Sequence, residues 1–136
     1  MKISMTFIIA AAIFVGGSAF VQQDVGESVQ RGKEVYTTFC QNCHLESGEG
    51  IPGVNPPLAK ADYLKKPTGT LIRVILEGQA EPIMVNGEKY ATEMPAMNYL
   101  TDEQIADVLN YVRNSFENKI TGSINAGMVK PYRKNN

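Results

Sequence analysis

The sequence predicts an all-α domain of about four helices with one small β-hairpin, and three patterns carry that prediction. Apolar residues recur at three- and four-residue steps near both ends of the chain, which is the spacing of one helix face. Asn86-Gly87 lies between two short runs and is a strong signal for a two-residue hairpin turn. Residues 40–44 group two cysteines and a histidine at the end of the first helical segment.

The first nineteen residues have the pattern of an export signal. Lys2 precedes an apolar run from Met5 to Val15, and small residues follow it at 16–19. Gly17 and Ala19 satisfy the small-x-small cleavage rule, so we expect a signal peptide at 1–19 and a mature domain over 20–136. We expect no membrane span in that mature form. An uncleaved N-terminal anchor is the alternative, although the run is shorter than the roughly 20 residues of a typical span.

The composition of the mature part limits its size and its partners. About 117 residues are sufficient for one domain and not for two. Twelve basic and fourteen acidic residues give a formal charge near −2, with no basic patch. We therefore expect no nucleic-acid partner.

The first helix is predicted over roughly Val25 to Cys43. Its apolar and small positions recur with helical spacing at Val29, Gly32, Tyr36 and Phe39. A glycine inside a helix costs about 1 kcal/mol relative to alanine. Gly32 therefore indicates a close approach by another element, although it could also be an ordinary tolerated glycine.

The pentad Cys40-Gln41-Asn42-Cys43-His44 is the attachment signature of a c-type haem. Two thiols add to the two vinyl groups on one edge of the rigid ring, and two intervening residues let both sulfurs reach that edge. The histidine after the second cysteine then lies under the ring with a nitrogen directed at the iron. Cys40 and Cys43 are the two cysteines of the chain and His44 is its one histidine.

Other chemistries fit the pentad less well. A thioredoxin-type dithiol is expected near a strand in a βαβ pattern, and it leaves His44 unexplained. A zinc site lacks a fourth Cys or His ligand. A disulfide between Cys40 and Cys43 has poor geometry. We therefore expect one covalently bound haem c and its iron as the cofactor.

The middle of the chain alternates between irregular and regular segments. The stretch from Leu45 to Pro57 contains three glycines and three prolines and cannot be regular. A short helical turn is expected near Ala59 to Lys65, and a helix that Thr68 or Thr70 caps runs to Glu77. Gly78 ends that helix, and the hairpin follows from Pro82 to Tyr90.

The last helix has the clearest pattern. Thr101 and Gln104 form a capping box, and Asp102 and Glu103 favour a helix N-terminus. The helix carries an apolar stripe and, on its other side, a set of polar residues. The stripe consists of Ile105, Val108, Leu109, Val112 and Phe116; the polar set is Asp107, Asn110, Arg113 and Asn114.

A methionine, a lysine or no side chain at all could be the second axial ligand, because no second histidine exists. Met94 lies fifty residues after His44, just before the last helix, and Pro95 stiffens the chain beside it. This position favours Met94. Met97, Met84 and Met128 remain alternatives, since methionine usually fills a core.

These residues resemble the class I monohaem cytochromes c, and the resemblance covers nearly all of the mature chain. Gly32 and Tyr36, eight and four residues before Cys40, are typical of that family's first helix, which crosses the last helix near the position of Tyr111. The family's proline lies twelve residues after the haem histidine, where this chain has Pro56. Its carbonyl accepts a hydrogen bond from the ligand histidine, which fixes the ring and its tautomer. Family precedent also takes the methionine before the proline as ligand, which is Met94.

The resemblance implies a cytochrome c fold around the haem and a one-electron carrier, not an enzyme. It further implies a periplasmic protein of the respiratory chain with a redox partner: a terminal oxidase, a nitrite reductase or a dehydrogenase. The hairpin and the C-terminal extension after Phe116 are additions to the smallest members. They resemble cytochrome domains associated with copper nitrite reductases and respiratory dehydrogenases. The protein is therefore expected to be either a monomeric shuttle or a dedicated subunit of such a complex.

An enzyme such as a peroxidase, or a gas-binding sensor, is a further alternative. Either would need an open or exchangeable sixth position on the iron. The early position of the pentad also argues against the cytochrome c′ type of four-helix gas binder, in which it lies near the C-terminus.

Overall fold

Residues 25–133 are described by the computed structural model of the chain, and the expected signal peptide at 1–19 lies outside this range. The helices are α1 (Val25–Phe39), α2 (Gln41–His44), α3 (Thr68–Glu77), α4 (Asp102–Asn114) and α5 (Ala126–Val129). The remaining elements within residues 25–133 are two 3-10 turns (Asp62–Lys65 and Lys130–Tyr132) and one hairpin, formed by β1 (Ile83–Val85) and β2 (Glu88–Tyr90). The prediction of a mostly helical fold with a small hairpin is confirmed.

Helices α1 and α4 pack closely, and Gly32 makes that packing possible. A Cβ atom on Gly32 would lie 2.0 Å from the Asp107 carbonyl oxygen and 2.8 Å from the Tyr111 Cβ. No side chain fits there. The close approach expected of Gly32 is confirmed, and it joins the first long helix to the last.

Three of the four residues in the predicted polar set of α4 are buried, which the sequence pattern did not indicate; Asn114 is the exposed one. Asp107 and Asn110 are 3% and 1% exposed. Asp107 accepts hydrogen bonds from Ser28 Oγ at 2.6 Å and from Arg31 Nε at 2.7 Å. Asn110 donates to Ser28 Oγ at 2.8 Å. Because Asp107 and Asn110 have hydrogen-bond partners, they can be buried on this side of the helix as the apolar stripe is on the other.

Three aromatic rings hold α1, α4 and the segment after α4 together. Tyr36 lies 5.4 Å from Tyr111 and 5.2 Å from Phe116, measured between ring centroids. The Tyr36 hydroxyl donates to the Leu45 carbonyl at 2.6 Å. Phe116 itself lies beyond the end of α4, with φ of +55°, so the predicted stripe ends one turn earlier than expected.

The hairpin is fixed to the 3-10 turn that precedes α3. Asn86 and Gly87 have φ of +51° and +84°, the positive values that a two-residue hairpin turn requires. Asp62 and Asn86 exchange hydrogen bonds, each backbone N–H donating to the other's side chain at 2.9 and 2.8 Å. The hairpin is therefore a fixed part of the domain.

The C-terminal extension packs back on the body of the domain. Ile124 is 2% and Val129 0% exposed. The Ile124 backbone donates to Asn110 Oδ1 at 2.9 Å, and its carbonyl accepts from Asn110 Nδ2 at 2.8 Å. The extension therefore covers the polar side of α4.

Within residues 25–133, none of the helices has the length and apolar character needed to cross a membrane.

Candidate haem site

An apolar cavity of about 300 Å³ opens between α2, α3, α4 and the hairpin. All five residues that the sequence singled out line it: Cys40, Cys43, His44, Pro56 and Met94. Much of its wall consists of buried apolar side chains from the surrounding elements. They include Leu71, Ile75, Val85, Tyr90, Leu109 and Val112.

His44 is held by the backbone of the loop that follows it. Its Nδ1 lies 3.0 Å from the Pro56 carbonyl oxygen, which can only accept, so Nδ1 carries the proton. The other ring nitrogen, Nε2, then keeps its lone pair. Burial lowers the pKa of His44, and the Pro56 hydrogen bond opposes this in part. The imidazole is therefore kept neutral, the form that coordinates a metal.

The Cys40 thiol lacks the lowered pKa that is typical of a redox dithiol. Cys40 is half-buried and Cys43 is exposed. Burial, with a smaller effect of Cys43, raises the pKa of the Cys40 thiol to about 11. A disulfide oxidoreductase has a thiol whose pKa is lowered instead. The raised pKa of Cys40 thus argues against the thioredoxin-type alternative.

The loop after His44 is built from backbone hydrogen bonds that place the Pro56 carbonyl. The Gly50 N–H donates to the His44 carbonyl at 3.0 Å, and the Asn55 side chain donates to the Cys43 carbonyl at 3.1 Å. Gly50 has φ of +65°, and a Cβ atom there would lie 2.5 Å from the Asn55 carbonyl oxygen. This loop is irregular, as predicted, but it is tightly folded on itself.

Met94 is held by the residues that follow α3. The Met94 and Gln79 backbones exchange two hydrogen bonds of 2.9 Å. Gly78 has φ of +77°, and a Cβ atom on it would lie 2.6 Å from the Met94 carbonyl oxygen. The Met97 N–H donates to the Ile75 carbonyl at 2.7 Å. The end of α3 therefore fixes the position of the methionine loop.

The other methionines within residues 25–133 divide into two groups. Met97 also lines the cavity and is 9% exposed, so it stays an alternative to Met94 by position alone. Met84 and Met128 are 54% and 39% exposed and are not among the lining residues. These two are thereby removed as candidates.

Sequence reasoning missed several contributors to the site. Ile83, Val85 and Tyr90 of the hairpin line the cavity, although the sequence indicated only an insertion. Their apolar character was a usable signal, because a two-stranded hairpin has no core of its own in which to bury such side chains. Gln79 and Asn55 act through contacts with backbone atoms, and no pattern in the sequence marks them.

The residues present fit a haem. A neutral imidazole, two thiols and a thioether come from distant parts of the chain to one apolar cavity. Nitrogen and thioether donors are the axial ligand types of low-spin haem iron. Apolar walls suit the faces of the macrocycle.

Comparison with known proteins agrees with this fit. The family model described as cytochrome c matches residues 29–116. Cytochrome c-552 of Thermus thermophilus is 39% identical over 110 residues, which cover 78% of this chain and 69% of that protein.

Two subunits of larger enzymes are also similar. The gluconate 2-dehydrogenase cytochrome c subunit of Pantoea cypripedii is 34% identical over 112 residues, covering 80% of this chain and 25% of that protein. The cytochrome c subunit of the quinone alcohol dehydrogenase of Gluconobacter oxydans is 32% identical over 105 residues, covering 75% and 22%. The matched region spans about a quarter of each subunit's length. From the family match, the similarity to cytochrome c-552 and the geometry of the cavity, we conclude that the chain belongs to the cytochrome c family, whose members carry a covalently attached c-type haem.

Proposed function

We propose that the chain is a one-electron carrier with one haem attached through Cys40 and Cys43 and axially ligated by His44 and Met94. The observation that carries the proposal is the convergence of these four residues on one apolar cavity, with Met94 fifty residues distant from His44 in the sequence. The Pro56 carbonyl, 3.0 Å from His44 Nδ1, would hold the imidazole in one tautomer and orientation.

The bound haem supplies the redox chemistry, since its iron can alternate between ferric and ferrous. The protein's part is to keep both axial donors in place and to exclude water from the faces of the ring. Thioether ligation and burial both favour the ferrous form and so raise the reduction potential. Leu71, Ile75 and Leu109, all buried, supply part of that dry wall.

An electron carrier fits the site better than an enzyme. His44 is the one histidine of the chain, and the proposal commits it to the iron. A filled sixth position leaves no place for a substrate to coordinate. The purified protein should accept electrons from a chemical reductant and return them to an oxidase or reductase, without peroxidase turnover.

A dedicated subunit of a quinone dehydrogenase complex is the second candidate. The similarity to two dehydrogenase cytochrome subunits, at 32% and 34% identity, favours it. In either case we place the protein in the periplasm, because the chain begins with an export pattern and c-type haem is attached outside the cytoplasm. Co-purification of a stoichiometric dehydrogenase with the native protein would favour the subunit over the free shuttle.

Covalent attachment is tested by extraction. Acid-acetone removes haem that is held only by coordination, so the polypeptide mass after extraction should still include one haem. The Cys43→Ala variant should have weakened attachment or fail to mature. Free extraction of haem from the wild type would contradict the proposal.

The sixth ligand is tested by a pair of alanine variants. The ferric protein should have the weak far-red absorption band of sulfur-to-iron charge transfer, and Met94→Ala should lose it and bind carbon monoxide readily. Met97→Ala is the matched control, since Met97 lines the same cavity three residues away. If Met97→Ala loses the band and Met94→Ala keeps it, the assignment is wrong.

A further inference from the structure

The last described residue, Arg133, contacts the segment that links Met94 to α4. Its Nε donates to Asp102 Oδ1 at 2.5 Å, its Nη1 to the Asn98 carbonyl at 2.9 Å, and its Nη2 to the Leu100 carbonyl at 2.5 Å. One guanidinium thus binds three acceptors spread over five residues. The family match ends at residue 116, so this contact belongs to the extension and not to the part of the domain that the family model covers.

The three acceptors lie four, six and eight residues after Met94. On the other side, the paired hydrogen bonds with Gln79 hold Met94 itself. Between the two, the Met97 N–H is bound to the Ile75 carbonyl. Arg133 therefore restrains the C-terminal end of the loop. It comes from the C-terminal extension, whereas Gln79 and Ile75 belong to α3 and the residues that follow it.

Tyr132, the neighbour of Arg133, anchors the same turn to α3. A Cβ atom on Gly69 would lie only 2.2 Å from the Tyr132 hydroxyl oxygen. The tyrosine therefore packs directly against the backbone of α3. The Arg73 guanidinium lies 5.2 Å from the ring centroid, within the range of a cation–π contact. The segment after α3 holds Met94 on one side, and α4 follows it on the other. Tyr132 contacts α3 and Arg133 contacts the start of α4, so these two adjacent residues connect both helices.

We propose that Arg133 is a positioning residue that keeps the Met94 loop closed over the haem iron; the proposal rests on Met94 being the axial ligand. A thioether on a flexible side chain is a neutral, weak ligand, and it stays on the iron only if its loop stays in place. Three hydrogen bonds from one charged, planar fork restrain that loop more than a single contact would. Loss of the fork raises the population in which the loop is open and the sixth position is accessible.

The test measures how easily an external ligand displaces the methionine. Imidazole is titrated into the ferric protein, and loss of the far-red sulfur-to-iron band gives an apparent Kd. Arg133→Gln removes the charge and the fork at a side chain that is 31% exposed, and circular dichroism checks that the variant is folded. We expect its apparent Kd for imidazole to fall about tenfold, which corresponds to about 1.4 kcal/mol. Arg133→Lys, which keeps the charge without the fork, should fall in between.

Arg31→Gln is the matched control. Arg31 also forms an ion pair with an aspartate of α4, Asp107, but on the α1 side of the helix and away from the methionine loop. It should lower the melting temperature and leave the imidazole Kd unchanged. If Arg133→Gln behaves in the same way, Arg133 is merely structural and the inference is overturned. If the wild type itself lacks the far-red band, or keeps it in Met94→Ala, the ligand assignment fails instead.

Discussion

Pro56 contributes a backbone atom to the candidate site. Its carbonyl oxygen accepts from His44 Nδ1, and the surrounding loop fixes that oxygen by hydrogen bonds of its own, such as those from Leu58 and Ala59 to the Gly48 carbonyl at 2.7 and 2.8 Å. The orientation of the imidazole therefore depends on the fold of the whole loop. A change at Gly50, where a Cβ atom would lie 2.6 Å from the Pro56 carbonyl oxygen, should disturb the histidine more than a change in the proline side chain.

Gly78 gives a test of how the backbone positions the methionine. Gly78→Ala requires φ near +77° and places a methyl group 2.6 Å from the Met94 carbonyl oxygen. We expect the Met94 segment to shift, with partial loss of the far-red band and a stability loss of about 2–4 kcal/mol from strain and overpacking. Absorbance spectra and denaturant unfolding measure the two effects.

Gly53→Ala is the control that carries the backbone strain of a positive φ without a steric clash. Gly53 has φ of +72°, and no described atom lies within 4 Å of a Cβ atom placed there. It should lose about 1–2 kcal/mol of stability and keep the full band. A Gly78→Ala variant with an unchanged band would show that this glycine does not position Met94.

At the scale of the elements, α4 has two buried sides with different chemistry. The apolar stripe faces the cavity, and the polar side is covered by α1 and by the C-terminal extension. Arg113, 8% exposed, donates to the Thr121 and Gly122 carbonyls at 2.9 and 3.2 Å. Hydrogen bonds from Arg113 and Asn110 therefore hold the extension together with the burial of its apolar Ile124 and Val129.

Asn110 is the central contact of that arrangement, and its removal should be costly. Asn110→Ala leaves both the N–H and the carbonyl of Ile124 without their side-chain partner at a buried position. We expect a loss of about 3 kcal/mol in the free energy of unfolding and faster amide exchange at Ile124. Denaturant unfolding and hydrogen exchange test this.

Asn114→Ala is the control on the same helix. Asn114 is exposed, and its side chain donates to the Asn110 carbonyl at 2.8 Å. Its loss should cost well under about 1 kcal/mol, as for other surface positions. Equal effects of the two substitutions would mean that Asn110 does not hold the extension.

For the whole molecule, the haem is expected to be part of the core. The walls of the cavity are apolar side chains from several elements, which gain stability when a ring covers them and keeps water away. A small domain has only about 5–15 kcal/mol of stability in total. A haem that covers these walls should therefore stabilise the fold that holds it.

The haem-free chain should accordingly fail to fold cooperatively. A Cys40→Ala/Cys43→Ala double variant expressed without haem should give no sharp thermal transition by circular dichroism, whereas the haem-loaded wild type should unfold in one step. A haem-free chain that melts cooperatively near the temperature of the wild type would contradict this expectation.

The sequence predicted the parts of this molecule whose signals are local. The hairpin turn at Asn86-Gly87 and the capping box of Thr101 and Gln104 were both predicted, and both hydrogen bonds of the box are present at 2.9 and 3.1 Å. The first helix was predicted to run to Cys43, but it ends at Phe39 and a separate turn, α2, carries His44.

The parts that escaped prediction depend on contacts between distant residues. Asp107 and Asn110 have an ordinary polar pattern, and only the partners Ser28 and Ile124 make them buried. The extension after Phe116 lacks a long periodic segment, so the sequence gave little signal for α5 and for the 3-10 turn that follows it. In the site, the pentad could be recognised because haem attachment requires its spacing. Gln79 pairs with Met94 through backbone atoms, and side-chain patterns in a sequence do not reveal such pairing.

The packing of Gly32 against Asp107 also has a consequence for the order in which the molecule is made. These residues are 75 positions apart, so the packing of α1 on α4 cannot form until α4 has been synthesised. Contacts over such separations form late, and the segment from Cys40 to His44 stays accessible in the meantime. Haem attachment should therefore need only that segment, and a chain ended at Leu100 should still carry the mass of one haem when it is expressed with the maturation machinery.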